Sequence, residues 1–541
     1  MEADIQRRLQ TVASSREAAQ REHEGEWFTR YRRRLLPSRR AYIIVTAILL
    51  GVWLAVVVFT ALRHEYWRDE VRAWSLAREA TSPLDLFHRI RYEGHPILWY
   101  LLLYIGKSIV DTPLVLPIIS IVVASAAVTI FMLRSPFPLW MKASFLFSAL
   151  PLYVYSVKAR NYGISMLLLF LAAALYRHRR KYWLRLSLVL ALLANTNIHA
   201  TILTSLLLAV WAWDEWSARR SAPDEMVGRP FLVAVAIVGL GVLLGVIAVM
   251  PPHDTILTGF YGTTVSGLAS AFLGAVSTPG AGFVHLFPRF VPVWVGSVVL
   301  YLAVFGLLRR PVLFWAALGG LVALGMVFRV AYVGYYRHAG VFLCFLVSLY
   351  WLAIEASDSG TVRRRMLRLF HAGLYGGLFI LVLASVYKDR VVRVDIQSEM
   401  SSSKAFGSFL NASREFHDAI LLPEPDYFIE SLPYYAHNPI YFARERRFGT
   451  TVTWSTAAAV DLSLGQIVSL ARKLKAQYRR PVLVVLGHPR AVTDATGDIW
   501  YLYNKHFTWT VGEHEDAAHA LTPVAEFKTA AEEKYWIYAV N

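Results

Sequence analysis

The chain reads as a polytopic α-helical membrane protein of about eleven transmembrane helices, closed by an extracytoplasmic α/β domain. Three observations support this: composition, the spacing of apolar runs, and the placement of basic clusters. Of 541 residues, 56% are hydrophobic and 17% charged, with a mean hydropathy of +0.42. That is too much apolar sequence for a soluble chain of this length. The net charge of +17, from 55 basic and 38 acidic residues, gathers in short clusters between apolar runs. Such clusters carry topology information, whereas a nucleic-acid binder needs a soluble basic face with stacking aromatics. Nucleic acid is therefore set aside as a partner. The single cysteine, Cys344, lies inside an apolar run, so neither an internal disulfide framework nor a cysteine metal cluster is available.

Residues 1–40 carry ten arginines and no short apolar core with a small-residue cleavage site. They are expected to form a cytoplasmic segment, with the first span retained as an anchor. Apolar runs begin near Ala41, Leu114, Ala143, Arg160, Leu186, His199, Phe231, Phe290, Val312, His338 and Ala372. With the N-terminus inside, the clusters 134–142, 177–185, 219–229, 309–310 and 363–368 also fall inside. This holds only if the run 96–110 does not cross. That run is about 15 residues long, opens at Pro96 and carries Lys107, which suits an interfacial or re-entrant segment.

The transmembrane domain then occupies residues 41–387. Three segments face outward: the loop 63–95, the loop 251–289, and residues 388–541. Within the first, Val71, Trp74, Leu76 and Ala77, then Leu84, Leu86, Phe87 and Ile90, predict two short amphipathic helices on the membrane surface. In the last, strands are expected at 419–422, 481–486 and 535–539, with a helix over 463–478. Gly487 follows a strand, but no phosphate-binding glycine pattern accompanies it, so packing or acceptor binding is expected there.

The most informative residues are Trp67, Arg68, Asp69 and Glu70, just past the first span, and Tyr92, Glu93, Gly94, His95 and Pro96, where apolar sequence resumes. Ionisable groups beside apolar spans are costly to desolvate and so mark sites. Asp69 and Glu70 suit general-base work, although acids also cap helix N-termini. Shielding by Trp67 and the loop helices should raise the pKa of Asp69. Glu93 and His95 could orient an acceptor or join Asp69 around a divalent ion; pairing with Arg68, Arg89 or Arg91 is the simpler role.

Guanidinium groups grip phosphate oxygens, and Arg160 and Arg337 stand at expected outer ends of spans, where the positive-inside rule asks for no charge. Arg337 and His338 follow Tyr335 and Tyr336, a setting that suits either a lipid-phosphate headgroup or an interfacial belt. His199, after Asn195, Thr196 and Asn197, falls at an outer turn, where it could serve a site or interhelical hydrogen bonding. His285 and Arg289 in the second outer loop rank below these.

The Asp-Glu pair opening a long outer loop, the Glu93 to Pro96 motif closing it, and Lys158, Ala159, Arg160, Asn161 and Tyr162 at a later turn together resemble the GT-C glycosyltransferases. The nearest likeness is to protein O-mannosyltransferases and lipid A aminoarabinose transferases, over residues 41–176. The resemblance implies transfer of a sugar, with inversion, from a polyprenyl-phosphate donor to a glycan, lipid or protein acceptor outside the membrane. It also implies a bacterial inner or plasma membrane as the setting. It makes Asp69 catalytic, with Glu70 beside it and Glu93 and His95 in the same loop; Arg160 and Tyr162 match the Ala-Arg-x-Tyr turn. Some relatives carry a second carboxylate near that turn that helps hold a metal, where this chain has Tyr162. The closest alternatives are a lipid-linked oligosaccharide polymerase or ligase, and a transporter or flippase. The latter should show two corresponding halves with broken helices, and no internal duplication is visible.

Overall fold

The computed structural model describes residues 39–221, 228–256, 264–356, 364–388, 401–528 and 532–541. The N-terminal segment expected to be cytoplasmic lies outside them, except for Arg39 and Arg40. Six helices are long and apolar enough to cross a membrane: Arg39–Ala61 (α1), Val115–Arg134 (α5), Arg229–Val249 (α10), Pro311–Val330 (α13), Tyr336–Glu355 (α14) and Arg364–Tyr387 (α15). Leu98–Ile109 (α4), Leu139–Leu146 (α6, continued by a wider helical turn over Leu150–Val154), Tyr162–Tyr176 (α7), Trp183–Ala194 (α8), Val265–Ser277 (α11) and Val293–Phe305 (α12) are shorter. The 24-residue helix Ile198–Ser221 (α9) carries Asp214, Glu215, Arg219 and Arg220 near its end. Helix α14 is buried from His338 to Ala353, which makes it the central post of the bundle.

The two helices expected in the first loop are present as Arg68–Glu79 (α2) and Pro83–Arg89 (α3). Ser82 accepts a hydrogen bond from the Asp85 N–H and supplies the second helix with its N-cap. Helix α4, at 12 residues, is about 18 Å long, far short of a hydrocarbon core of about 30 Å. It stays beside the loop 63–95 at both ends. Lys107 donates to the Ala80 carbonyl at 2.9 Å and Arg78 pairs with Asp111 at 3.1 Å, while Trp99 and Tyr100 face the same cavity as Arg72.

The C-terminal region is an α/β domain. Its four-stranded sheet has the order β1-β5-β9-β8, with β1 (Ile420–Glu424) parallel to β5 (Val482–Leu486), and β9 (Tyr535–Val540) antiparallel to both β5 and β8 (Leu521–Phe527). Strands β1 and β5 are buried throughout, as continuous apolar runs covered on both faces should be. Alternate residues feed two cores. Ile420, Leu422, Val482 and Val484 meet the helix Leu464–Tyr478 (α17), whose buried Leu464, Ile467, Val468, Ala471 and Leu474 form one stripe. Leu421, Leu483, Val485, Tyr535 and Ile537 meet Phe406, Tyr427, Ile429 and Trp454.

Sequence periodicity anticipates β1, β5, β9 and α17 to within two residues. It does not anticipate the hairpin of β2 (Tyr441–Phe442) and β3 (Arg447–Phe448) or the sheet β4-β7-β6 (Asp461–Ser463, Lys505–Trp509, Gly497–Tyr501). A Cβ at Gly487 would meet Phe428 at 2.7 Å and Pro425 at 2.8 Å, so this glycine serves packing.

The α/β domain is seated on the loop 63–95. Tyr435 Oη accepts from the Tyr66 N–H at 2.7 Å, and Glu533 accepts from the Arg68 N–H at 3.1 Å. Asp254 and Ile256 join the contact, with Ile256 N–H donating to the Trp454 carbonyl at 3.0 Å and Ser455 Oγ to Asp254 at 3.1 Å.

Candidate functional site

One cavity of about 450 Å³ opens between the helix ends and the α/β domain. Its wall includes the candidates Asp69, Glu93, His95, Arg160, Tyr162, His199, Arg337 and His338. They come from the 62–97 loop, the turn before α7, the start of α9 and the start of α14. These ends converge for local reasons. Gly94, with φ +63°, turns the chain between Glu93 and His95, a conformation that glycine adopts without strain. Gly163 lets the first turn of α7 press on the preceding turn, since a Cβ there would lie 2.5 Å from the Tyr155 carbonyl oxygen. Asn161 then ties to the next turn by donating to the Thr196 carbonyl at 2.8 Å, and Asn197 donates to Ser165 at 2.7 Å. The residues around His199 thus do carry interhelical hydrogen bonding, while His199 itself reaches the cavity.

Asp69 is the electrostatic centre. Its carboxylate pairs with Arg160 at 2.7 Å, with Arg337 at 3.6 Å and with Arg68 at 3.6 Å. The expectation of a raised pKa is overturned. Burial pushes this carboxyl up, but Arg160, Arg68 and Arg337 outweigh burial and hold it well below the usual carboxylate range. Three guanidiniums about one carboxylate leave a cationic surplus facing the cavity.

Glu70 does not line the cavity. It is fully buried behind Asp69, where it accepts from the Ala159 N–H at 2.7 Å and bonds His64 at 3.0 Å. Being one position along the helix from Asp69, it points about 100° away and meets the turn that carries Arg160. Its carboxylate holds the turn that carries Arg160 rather than facing the cavity.

Glu93 has a partner that the sequence does not suggest. Arg72, one helical turn beyond Arg68, donates to it through Nη2 at 2.6 Å and Nε at 3.0 Å, and also contacts Glu430 of the α/β domain. Arg89 instead pairs with Glu79 and Asp85. With Asp69 and Glu93 each held by arginines, Asp69, Glu93 and His95 do not form a ligand set. Among the described residues no cluster of three His, Cys, Asp or Glu side chains suited to a metal ion occurs.

The inner part of the cavity is uncharged and ring-rich. His199 and His338 stack at 5.2 Å between ring centres, Tyr332 lies edge-on to His338 at 5.1 Å, and Tyr162 lies 5.5 Å from His338. Tyr332 Oη and His199 Nε2 are 2.6 Å apart. Burial, then the charge of Arg160, lowers the His95 pKa to about 3, so its imidazole is neutral near neutral pH. His285 packs on Tyr335 at 5.3 Å and Arg289 is exposed; neither lines the cavity.

The sequence reading missed Arg72, Trp99, Tyr332, Trp454 and Tyr503, all of which line the wall. Arg68 and Arg72 share a helix face with i,i+4 spacing, a signal that was open to reading. Trp454 and Tyr503, 4.3 Å apart, come from the α/β domain and reach the cavity only through docking. No protein-family model matches the chain, and no curated protein matches it either.

Proposed function

We propose that the protein is a membrane glycosyltransferase of the GT-C type. It moves a sugar from a polyprenyl-phosphate donor to a hydroxyl-bearing acceptor on the outer face, with inversion at the anomeric carbon. The observation that carries this reading is the Asp69 centre: one carboxylate amid the surplus positive charge of Arg68, Arg160 and Arg337, at the wall of a cavity of sugar size. Guanidiniums in a partly dry site are the groups that grip phosphate oxygens.

In the transfer, the acceptor oxygen attacks the anomeric carbon and its proton passes to Asp69. The bond from that carbon to the phosphate oxygen breaks, and its electron pair leaves with the phosphate, which Arg160 and Arg337 stabilise. The low pKa of the unliganded carboxylate suits a base that is switched on by substrate. A phosphate on the same arginines brings negative charge beside Asp69 and draws off their stabilisation, which raises its proton affinity when the donor is bound.

This reading places eleven crossings, with α4 and α11 on the outer surface and the cavity at the outer helix ends. The placement of α4 along the outer loop supports it, as does the gathering of Arg179, Arg180 and Arg310 around Asp214 and Glu215 at the opposite helix ends. The rival reading, a polymerase or ligase using diphosphate-linked oligosaccharides, differs in its donor. The test is to incubate the purified protein in lipid with polyprenyl-phosphate monosaccharides and, separately, with diphosphate-linked oligosaccharides. Turnover of the monophosphate donors is expected; turnover of the diphosphates alone overturns the donor assignment.

A further inference from the structure

The sheet β4-β7-β6 carries a second surface, outside the cavity. Side chains along its strands alternate between two faces. Leu462, Phe507 and Ile499 turn inward to the core shared with α17. The strand register sets the opposite face in two rows: Asp461, His506 and Trp500 in one, Ser463, Thr508 and Asp498 in the next. Trp500 is 60% exposed. Its ring lies 4.1 Å from that of His506 at an angle of 12°, a stack that holds the indole flat and leaves its other face to solvent. His506 Nδ1 stands 2.9 Å from Asp461 and Nε2 stands 3.4 Å from Asp498. Both carboxylates remain largely exposed, 80% for Asp461 and 60% for Asp498, with acceptor capacity to spare.

A lone surface tryptophan calls for no explanation. This one has a defined place relative to the cavity. Strands β6 and β7 are joined through Tyr503 and Asn504, both in left-handed backbone at φ +63° and +56°. Asparagine takes that conformation readily, whereas a bulky tyrosine adopts it at a cost. The turn sets Tyr503 in the cavity wall, 4.3 Å from Trp454. Trp500 is three residues back along the same chain, at most about 11 Å away. One hairpin thus joins the cavity to the open indole.

The chemistry of the face describes what lies on it. A flat indole matches the apolar C–H face of a sugar ring, and carboxylates beside it accept hydrogen bonds from the hydroxyls at the ring's rim. Two acids against one imidazole leave no surplus positive charge for an acidic polymer. The same two acids oppose insertion among anionic lipid headgroups, although Leu502 is exposed nearby.

We infer that this face is a glycan-binding platform, on which a neutral oligosaccharide stacks one ring on Trp500 and donates hydroxyls to Asp461 and Asp498 while its end reaches the cavity past Tyr503. The glycan is then the acceptor. That role rests on the transferase reading above; glycan binding itself does not.

The test measures binding of glucohexaose, mannohexaose and galactohexaose, and of the matching monosaccharides, to the purified full-length protein in nanodiscs by calorimetry. At least one hexaose should bind about tenfold more tightly than its monosaccharide. Trp500→Ala should weaken that binding about tenfold, and Asp461→Asn/Asp498→Asn severalfold, with melting temperatures close to the parent's because these side chains are exposed. No binding of any hexaose, or equal binding by the parent and Trp500→Ala, overturns the platform and leaves the cavity reading standing. Quenching of Trp500 by brominated lipids, read as the difference between the parent and Trp500→Phe, would assign the face to the membrane surface and overturn it as well. With a polyprenyl-phosphate donor present, the KM for the bound hexaose should rise in Trp500→Ala. Donor turnover with the hexaose bound but never glycosylated overturns the acceptor role, and no donor turnover at all overturns the transferase reading while the platform stands.

Discussion

The bundle carries a buried charge cluster at each end, and the two differ in what they leave unsatisfied. At one end Asp214 receives Tyr176 at 2.9 Å and Arg310 at 3.0 Å, while Glu215 receives Arg179 and Arg180 at 3.3 Å each. Two acids meet three arginines and a tyrosine hydroxyl, with no member of the cluster in the wall of the cavity. At the other end a single acid, Asp69, meets three arginines beside about 450 Å³ of open space. Clustered charge at a helix end is therefore no mark of a site by itself. Surplus charge and volume together distinguish the second cluster from the first.

Replacing the central acid at each end should separate them most sharply. Asp69→Asn is expected to lower sugar transfer about 10²- to 10⁴-fold, the usual contribution of a positioned base, with expression retained. Asp214→Asn should leave transfer rates within a fewfold of the parent. Initial rates at saturating donor check both, and equal losses in the two variants would erase the distinction drawn here.

Next in size is Glu70→Gln. Loss of the buried charge that binds His64 and the Ala159 N–H should cost about 1–3 kcal/mol of stability. It should also lower transfer, by loosening Arg160 against Asp69. A positioning role predicts that the turnover number falls together with the affinity for lipid phosphate. A rate loss as large as that of Asp69→Asn, with phosphate affinity untouched, would instead return Glu70 to the chemistry.

The smallest effect concerns the seat of the α/β domain. Burial raises the Glu533 carboxyl to about 7, against hydrogen bonds from Ser401, Ser431 and the Arg68 N–H. A carboxyl whose folded pKa lies above its unfolded value adds stability below about 4.5, and that contribution is lost as pH rises through about 7. Melting curves from pH 5 to 8 should therefore show the parent losing stability over this window and Glu533→Gln losing less. Parallel curves would show that Glu533 does not titrate at this contact.

How much of this was legible in the chain follows from range. Helix existence, the two loop helices and the strands β1, β5 and β9 depend on local periodicity, and periodicity is visible in sequence. So is the oddity of Asp69, Glu93, Arg160 and Arg337 at the ends of apolar runs, because the cost of burying charge is a local fact. The pKa of Asp69 was misjudged because burial is local and the arginines that outweigh it arrive from two distant turns. That Glu70 stands away from the cavity is not visible in adjacency, because a helix sends neighbours in sequence to different faces. Trp454 and Tyr503 carry no sign of their role, since they meet the cavity only after a separate domain has folded and docked.

The most direct test of the central claim is the binding of bare polyprenyl phosphate to purified protein in nanodiscs, comparing the double variant Arg160→Ala/Arg337→Ala with Arg310→Ala. Hydrogen bonds to charged groups are each worth about 1.5–3 kcal/mol, so losing two should weaken binding at least a hundredfold, while the Arg310 variant binds like the parent. Undiminished binding by the double variant, or an equal loss in both, would contradict the claim that the surplus charge around Asp69 holds a lipid phosphate.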